Sequence, residues 1–319
     1  MSGNSSLSAC SHINLVAVNT TLAYLFFMMS PVALLLNVTA AWVSLELQSS
    51  SAFIVYFKNL IAADLLVTLT ATLMAANLLP DASLYVRMFA CRYSDVVLYS
   101  SLYTSICLMG MISLDRFFKI VRPRGTAFGQ SVLFSTVSST FIWVTIFFGT
   151  GLPTMILTDR HPTDHTEDLC MSMKGPAGQF LHKTVVSMME SVFWLVTTLI
   201  VFCYICITLK VLQSFRKSGS SNTQGKKRTT LRVFLILTVY FVCFMPLHLT
   251  RVPYILDNIT HDDCVHVLLN VLHRSALWIS ITNVCLDPLL YVFLCREFRE
   301  KLVEKIHRIC FCFLGNESD

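Results

Sequence analysis

Residues 96–114 read VVLYSSLYTSICLMGMISL, a run with no Asp, Glu, Lys or Arg, closed at once by Asp115-Arg116-Phe117. That is close to the roughly 20 apolar residues an α-helix needs to cross the hydrocarbon core of a bilayer. Six further stretches share the pattern. Residues 13–45, 125–158 and 233–250 also carry none of the four charged types, 59–80 carries only Asp64, 184–209 only Glu190, and 265–294 only Arg274 and Asp287. Short polar joints separate them, where irregular backbone can bond water instead of facing lipid. The composition agrees, with 55% hydrophobic and only 13% charged residues over the 319 positions. A soluble domain runs nearer about 25% charged. The expected fold class is therefore an all-α membrane protein, a seven-transmembrane helix bundle. Twelve Cys are too dilute for a disulfide scaffold, and the Gly and Pro content has no collagen-like or low-complexity character.

Orientation follows from the basic residues of the joints. Arg116, Lys119, Arg122 and Arg124 follow the third span, and the joint from Lys210 to Arg232 holds seven basic residues and no acid. The opposite loops mix signs, with Asp159, Arg160, Asp164, Glu167, Asp168 and Lys174 in one and Asp257, Asp262 and Asp263 in another. This predicts an extracellular tail over 1–19, a seven-span domain over 20–294 and a cytosolic segment over 295–319. Residues 1–20 lack the basic start of a cleaved signal peptide, so the first span is expected to act as an uncleaved signal. On this orientation Cys10, Cys91, Cys170 and Cys264 face the oxidising side, and four thiols allow three pairings. Asn4-Ser5-Ser6 and Asn19-Thr20-Thr21 are the expected glycosylation acceptors. Asn258, Asn37 and Asn316 head similar triplets but lie in a short loop, a span and the cytosol, and are expected to stay unmodified.

An ionisable group at mid-membrane is costly enough to be a functional hypothesis by default. Asp64 is the deepest, and Ser105, Asn283 and Asp287 are oxygen-bearing residues at comparable depth. Such a cluster suits a small hard cation such as sodium, or serves as a polar core that orients helices. Pro153, Pro246 and Pro288 predict kinks in the fourth, sixth and seventh spans, and Phe244 stands beside the middle one.

Several local motifs then combine. Asp115-Arg116-Phe117 ends the third span, Trp143 sits in the fourth, Phe241-Val242-Cys243-Phe244-Met245-Pro246 in the sixth, and Asn283-Val284-Cys285-Leu286-Asp287-Pro288-Leu289-Leu290-Tyr291 in the seventh. With Asn37, Asp64, Cys91 and Cys170, the whole chain resembles the rhodopsin-like (class A) G protein-coupled receptors. The resemblance implies disulfides Cys91–Cys170 and Cys10–Cys264. It also implies an inner activation switch at Asp115 and Arg116, with Tyr204 and Tyr291 swinging in as Arg116 is freed. Phe117 and Asp287 replace the Tyr and Asn commoner at those places.

Three longer stretches, 51–59, 114–123 and 246–254, look like the ADP- and UDP-sugar-sensing branch of the purinergic nucleotide receptors and its orphan relatives. Residue chemistry agrees with an anionic small-molecule ligand. His248 and Arg251 share one helix face with Tyr254 a turn later, and Tyr99 and Tyr103 lie four apart in the outer third span. Lys174, His182, His273 and Arg274 complete the expected ligand set. Cations at a rim above aromatic rings fit phosphate or carboxylate joined to a group that can stack. One departure bears on specificity. The nucleotide-binding members open the seventh span with Lys-Glu-x-x-Leu where this chain has His273-Arg274-Ser275-Ala276-Leu277, and Val186 stands where they carry Asn. A lysophospholipid would use the same cations and is the alternative ligand.

On the cytosolic side, 296–308 puts Phe298, Leu302, Ile306 and Ile309 on one face, predicting a short amphipathic eighth helix on the inner leaflet. Cys310 and Cys312 beside it are expected palmitoylation sites. The implied partners are a heterotrimeric G protein of the inhibitory class and membrane lipids, with no nucleic acid. A transporter or channel is the alternative of another class, though no repeat relates the two halves. Enzyme signatures such as His-Glu-x-x-His, Gly-x-Ser-x-Gly or a phosphate loop are absent, and no cofactor is expected beyond the sodium ion.

Overall fold

The computed structural model describes residues 14–48, 51–121, 131–161, 169–217, 223–257 and 263–315, and their side chains apart from 214–234, 254–257, 263–264, 266, 294 and 309–315. Among the described residues, seven helices are long and apolar enough to cross a membrane. The first, α1 (Leu15–Leu45), begins at Asn14, whose Oδ1 accepts from the Ala17 amide at 3.1 Å and so satisfies one orphan donor of the first turn. It is followed by α2 (Ala52–Leu78) and α3 (Leu84–Val121), the latter passing through a π turn at Ala90–Ser94. α4 (Val132–Ile156) is capped by Ser131, whose Oγ accepts from the Phe134 amide. α5 (Pro176–Lys217) and α6 (Thr223–Asp257) are the longest uninterrupted rods of the second half.

α7 (263–294) runs as Asp263–Ile281, breaks at Thr282 and resumes as Asn283–Leu294. The prolines explain only part of this. Pro246 lies inside α6 without ending it, while α4 opens into a π segment, Val144–Gly151, just ahead of Pro153. Pro288 has no N–H for the carbonyl of Val284 one turn earlier, and that carbonyl accepts from Asn37 Nδ2 at 2.7 Å instead. One amide on α1 thus repairs the backbone of α7 and ties the two helices together.

Burial separates the helices by role. The central windows of α2 and α3 are 67% and 72% buried and that of α4 only 17%, so α3 is the axis of the bundle and α4 its lipid-facing edge. Met28, Leu35, Phe141 and Leu195 point outward, where lipid makes exposure of apolar surface cheap. Several hydroxyls inside the bundle are satisfied locally: Ser30, Thr68, Thr104 and Thr150 each donate to the carbonyl one turn back.

α8 (Arg296–Gly315) follows the bend at Cys295. Its apolar residues divide between the bundle and the outer face of the helix. Phe298 turns into the bundle, edge-on to Phe57 at 5.4 Å, and Ile306 stays half exposed. The buried residue of the outer turns is Lys305, whose Nζ pairs with Glu46 at 2.9 Å and lies 3.6 Å from the Trp42 ring centroid. The end of α1 supplies both partners. Ile309, Cys310 and Cys312 lie outside the described side chains.

Candidate ligand site and inner switch

The outer polar cluster is assembled from side chains of α3, α5, α6 and α7 under one loop. A disulfide joins Cys91 to Cys170 with Cα atoms 5.1 Å apart, pinning the 169–174 segment to the top of α3. That segment delivers Lys174, which is buried, donates to the Cys170 carbonyl at 2.8 Å and pairs its backbone with Thr158. Burial pulls the Lys174 ammonium below its ordinary value, and the nearby Asp95 charge acts against that.

Below it, Arg251 of α6 is 8% exposed and donates from Nη1 to the Tyr103 hydroxyl at 3.0 Å. Its guanidinium lies 4.8 Å from the Tyr99 ring centroid, a cation–π distance. His248, one turn deeper on the same helix, is fully buried and stacked on Phe193 with centroids 3.5 Å apart. Its Nδ1 meets Glu190 Oε2 at 2.9 Å, while Nε2 is buried without a hydrogen-bond partner among the described residues. Glu190 also accepts from Trp194 Nε1 at 3.0 Å. His182 and His273 stand within electrostatic reach of Arg251. Arg274 turns toward α1, donating to Asn270 Oδ1 at 2.6 Å and to Asn19 Oδ1 at 2.7 Å.

Of the residues expected at the ligand site, Tyr99, Tyr103, His248 and Arg251 therefore form one contact chain, with Lys174, His182 and His273 around it. Arg274 is drawn to the rim beside α1. The side chain of Tyr254 lies outside the described residues, as do Cys10, Cys264 and Asn4. Asn19 stands within α1, not in a preceding tail, with its carbonyl oxygen engaged by Arg274.

Two acids escaped the sequence reading. Glu190 was visible as the single charge of its span but had no partner in sight, because His248 is 58 positions away. Asp95 sits one position before the charge-free run of α3. A face count would have found it, since Asp95, Tyr99 and Tyr103 succeed one another at helical spacing.

Toward the cytosolic end a second polar cluster gathers. Asp64 accepts from the Tyr291 hydroxyl at 2.9 Å and from Ser105 Oγ at 3.4 Å, and Asn283 Nδ2 donates to Asp287 at 2.8 Å. All five are buried, and Asn283 Oδ1 has no hydrogen-bond partner. These are hard oxygen donors, the kind a small cation takes. Further in, Asp115 pairs with Lys119 at 2.9 Å and not with its neighbour Arg116, whose guanidinium lies 4.2 Å from the Phe53 ring centroid. A cavity of about 40 Å³ separates Tyr204 from Tyr291, lined also by Phe57, Tyr240 and Asp287. Phe244 and Pro246 sit above it on α6, Phe244 tilted against Tyr240 at 5.3 Å.

The model of the 7 transmembrane receptor (rhodopsin family) matches residues 35–291. This chain belongs to that receptor family. Purinoceptor 13 of Homo sapiens is 39% identical over 84% of this receptor and 76% of its own length. Purinoceptor 14 of Bos taurus is 36% identical over 92% and 88%, and G-protein coupled receptor 87 of Mus musculus 34% identical over 89% and 79%. The receptor is thus a multi-pass membrane protein of the purinergic branch, a member of a signalling family and not of an enzyme family.

Proposed function

We propose that this receptor stands in the plasma membrane with its N-terminus outside, binds an extracellular nucleotide or nucleotide sugar, and activates a heterotrimeric G protein of the inhibitory class. The observation that carries the ligand class is Arg251. A buried guanidinium stacked on Tyr99, hydrogen-bonded to a neutral hydroxyl and joined at the mouth by Lys174, is an anion site with an aromatic floor. Phosphate oxygens take the guanidinium fork, and a base takes the ring face. The names of the relatives, purinoceptors among them, support the same class. A lysophospholipid is the second reading, favoured by Arg274, which sits at the α1 edge of the bundle where an acyl chain would meet lipid.

At the other end, the ligand acts by favouring a state in which the inner part of α6 swings out and Arg116 leaves Phe53. It shifts that equilibrium only by its differential affinity for the two states. Sodium held by Asp64, Ser105, Asn283 and Asp287 would stabilise the resting state. Glycans on Asn4 and Asn19, a Cys10–Cys264 disulfide and palmitoyl groups on Cys310 and Cys312 complete the proposal. The test is G protein activation in cells expressing the chain, challenged in parallel with ADP, UDP-glucose and lysophosphatidic acid. A response to either nucleotide supports the reading, and a response to the lipid alone replaces it with the second one.

A further inference from the structure

The outer polar cluster holds more acid than an anion site requires. Lys174, Arg251 and Arg274 supply its positive charge, and the histidines add little at pH 7. Among them stand two carboxylates. Glu190 is fully engaged, with one oxygen on His248 and the other on Trp194. Asp95 is different: its Oδ1 is buried and has no hydrogen-bond partner among the described residues. The carboxylate lies within 4.8 Å of the Cys91 and Cys170 sulfurs, under the segment that delivers Lys174, and it faces Lys174 and Arg274 electrostatically. Along α3 it continues the face that carries Tyr99 and Tyr103.

A buried carboxylate oxygen without a donor is unfavourable, and a donor brought by a ligand removes that cost. Added negative charge on the ligand does the opposite, because like charges repel strongly where water is excluded. A hydroxyl group meets both conditions, since it donates and carries no charge. We propose that Asp95 is a specificity-determining ligand contact that accepts a hydrogen bond from a ligand hydroxyl and penalises surplus phosphate charge, so that the site favours nucleotide sugars over nucleoside diphosphates. This rests on the nucleotide reading above. The pyrophosphate oxygens lie on Lys174 and Arg251, the base on Tyr99, and the sugar ring at Asp95. Glu190, held by His248, adds to the same limit on charge.

The experiment compares UDP-glucose with UDP on cells expressing the full chain as wild type, Asp95→Asn or Asp95→Ala, with surface labelling to confirm delivery. Asn keeps an acceptor oxygen and loses the charge, whereas Ala loses both. The wild type should respond to UDP-glucose at lower concentration than to UDP. Asp95→Asn should improve UDP by about tenfold while UDP-glucose hardly moves, the size expected of one screened like-charge contact. Asp95→Ala should close the gap from the other side, with UDP-glucose weakened by about tenfold. Should Ala fail to reach the surface, the Asn variant alone decides. Parallel shifts of both ligands, or no shift in the Asn variant, overturn the assignment to Asp95. A wild type deaf to both nucleotides instead removes the nucleotide reading itself, before any variant is measured.

Discussion

The two ends of the bundle bury polar groups in opposite ways. The outer cluster mixes signs across helices: Arg251 against Tyr103 and Tyr99, His248 against Glu190, Lys174 near Asp95. The inner cluster is carboxylates facing hydroxyls and amides, with Tyr291 and Ser105 on Asp64 and Asn283 on Asp287. The first gives Arg251 a neutral hydroxyl as its hydrogen-bond partner and sets Lys174 between the Cys170 carbonyl and the Asp95 charge. The second leaves a carbonyl oxygen unpaired beside two acids, which a cation can satisfy. Buried charge demands compensation in both places.

The comparison breaks most completely at the inner end. Arg116→Ala should abolish G protein activation by every agonist while agonist binding to the surface receptor persists. Retained activation in that variant would remove Arg116 from the switch. Next in size, Arg251→Ala should raise the agonist concentration for half response by about a hundredfold, as expected for a lost charge-assisted contact. Surface expression should hold, and unchanged potency would take Arg251 out of the site.

Replacing sodium by choline in the medium should raise agonist affinity by about tenfold, a typical coupling between two sites. In Asn283→Ala, which removes the unpaired oxygen, radioligand binding should no longer respond to the exchange. A wild type indifferent to sodium would make the inner cluster a structural core. The smallest effect concerns Lys174. Burial lowers its pKa from the ordinary 10.5, so the folded chain releases this proton more readily than the unfolded one. Stability therefore gains with rising pH in the alkaline window just under 10.5, while anion affinity falls by a few fold as the ammonium is lost. Lys174→Gln should bind more weakly at neutral pH and show no such alkaline decline.

Most of the architecture could be read beforehand, because a charge-free run of membrane length has few other uses. Pairings between helices could not. Asn37 was quoted as part of a motif, yet its work on the Val284 carbonyl appears only when α1 meets α7. The apolar face of α8 is legible as one that lies on the inner leaflet, whereas the burial of Lys305 between Glu46 and Trp42 is not. Arg274 was grouped with Arg251 from their shared height, but its side chain leans to Asn19.

What the order of residues settles by itself is the number of spans, their apolar lengths and the charge bias of the joints. Those properties are sums over local stretches, and lipid acts on each stretch separately. Tertiary structure alone decides which lone charge is whose partner, since Glu190 and His248 come from different helices and meet only once α5 and α6 pack. In a low-dielectric interior that meeting determines whether a charge is available to a ligand or already satisfied.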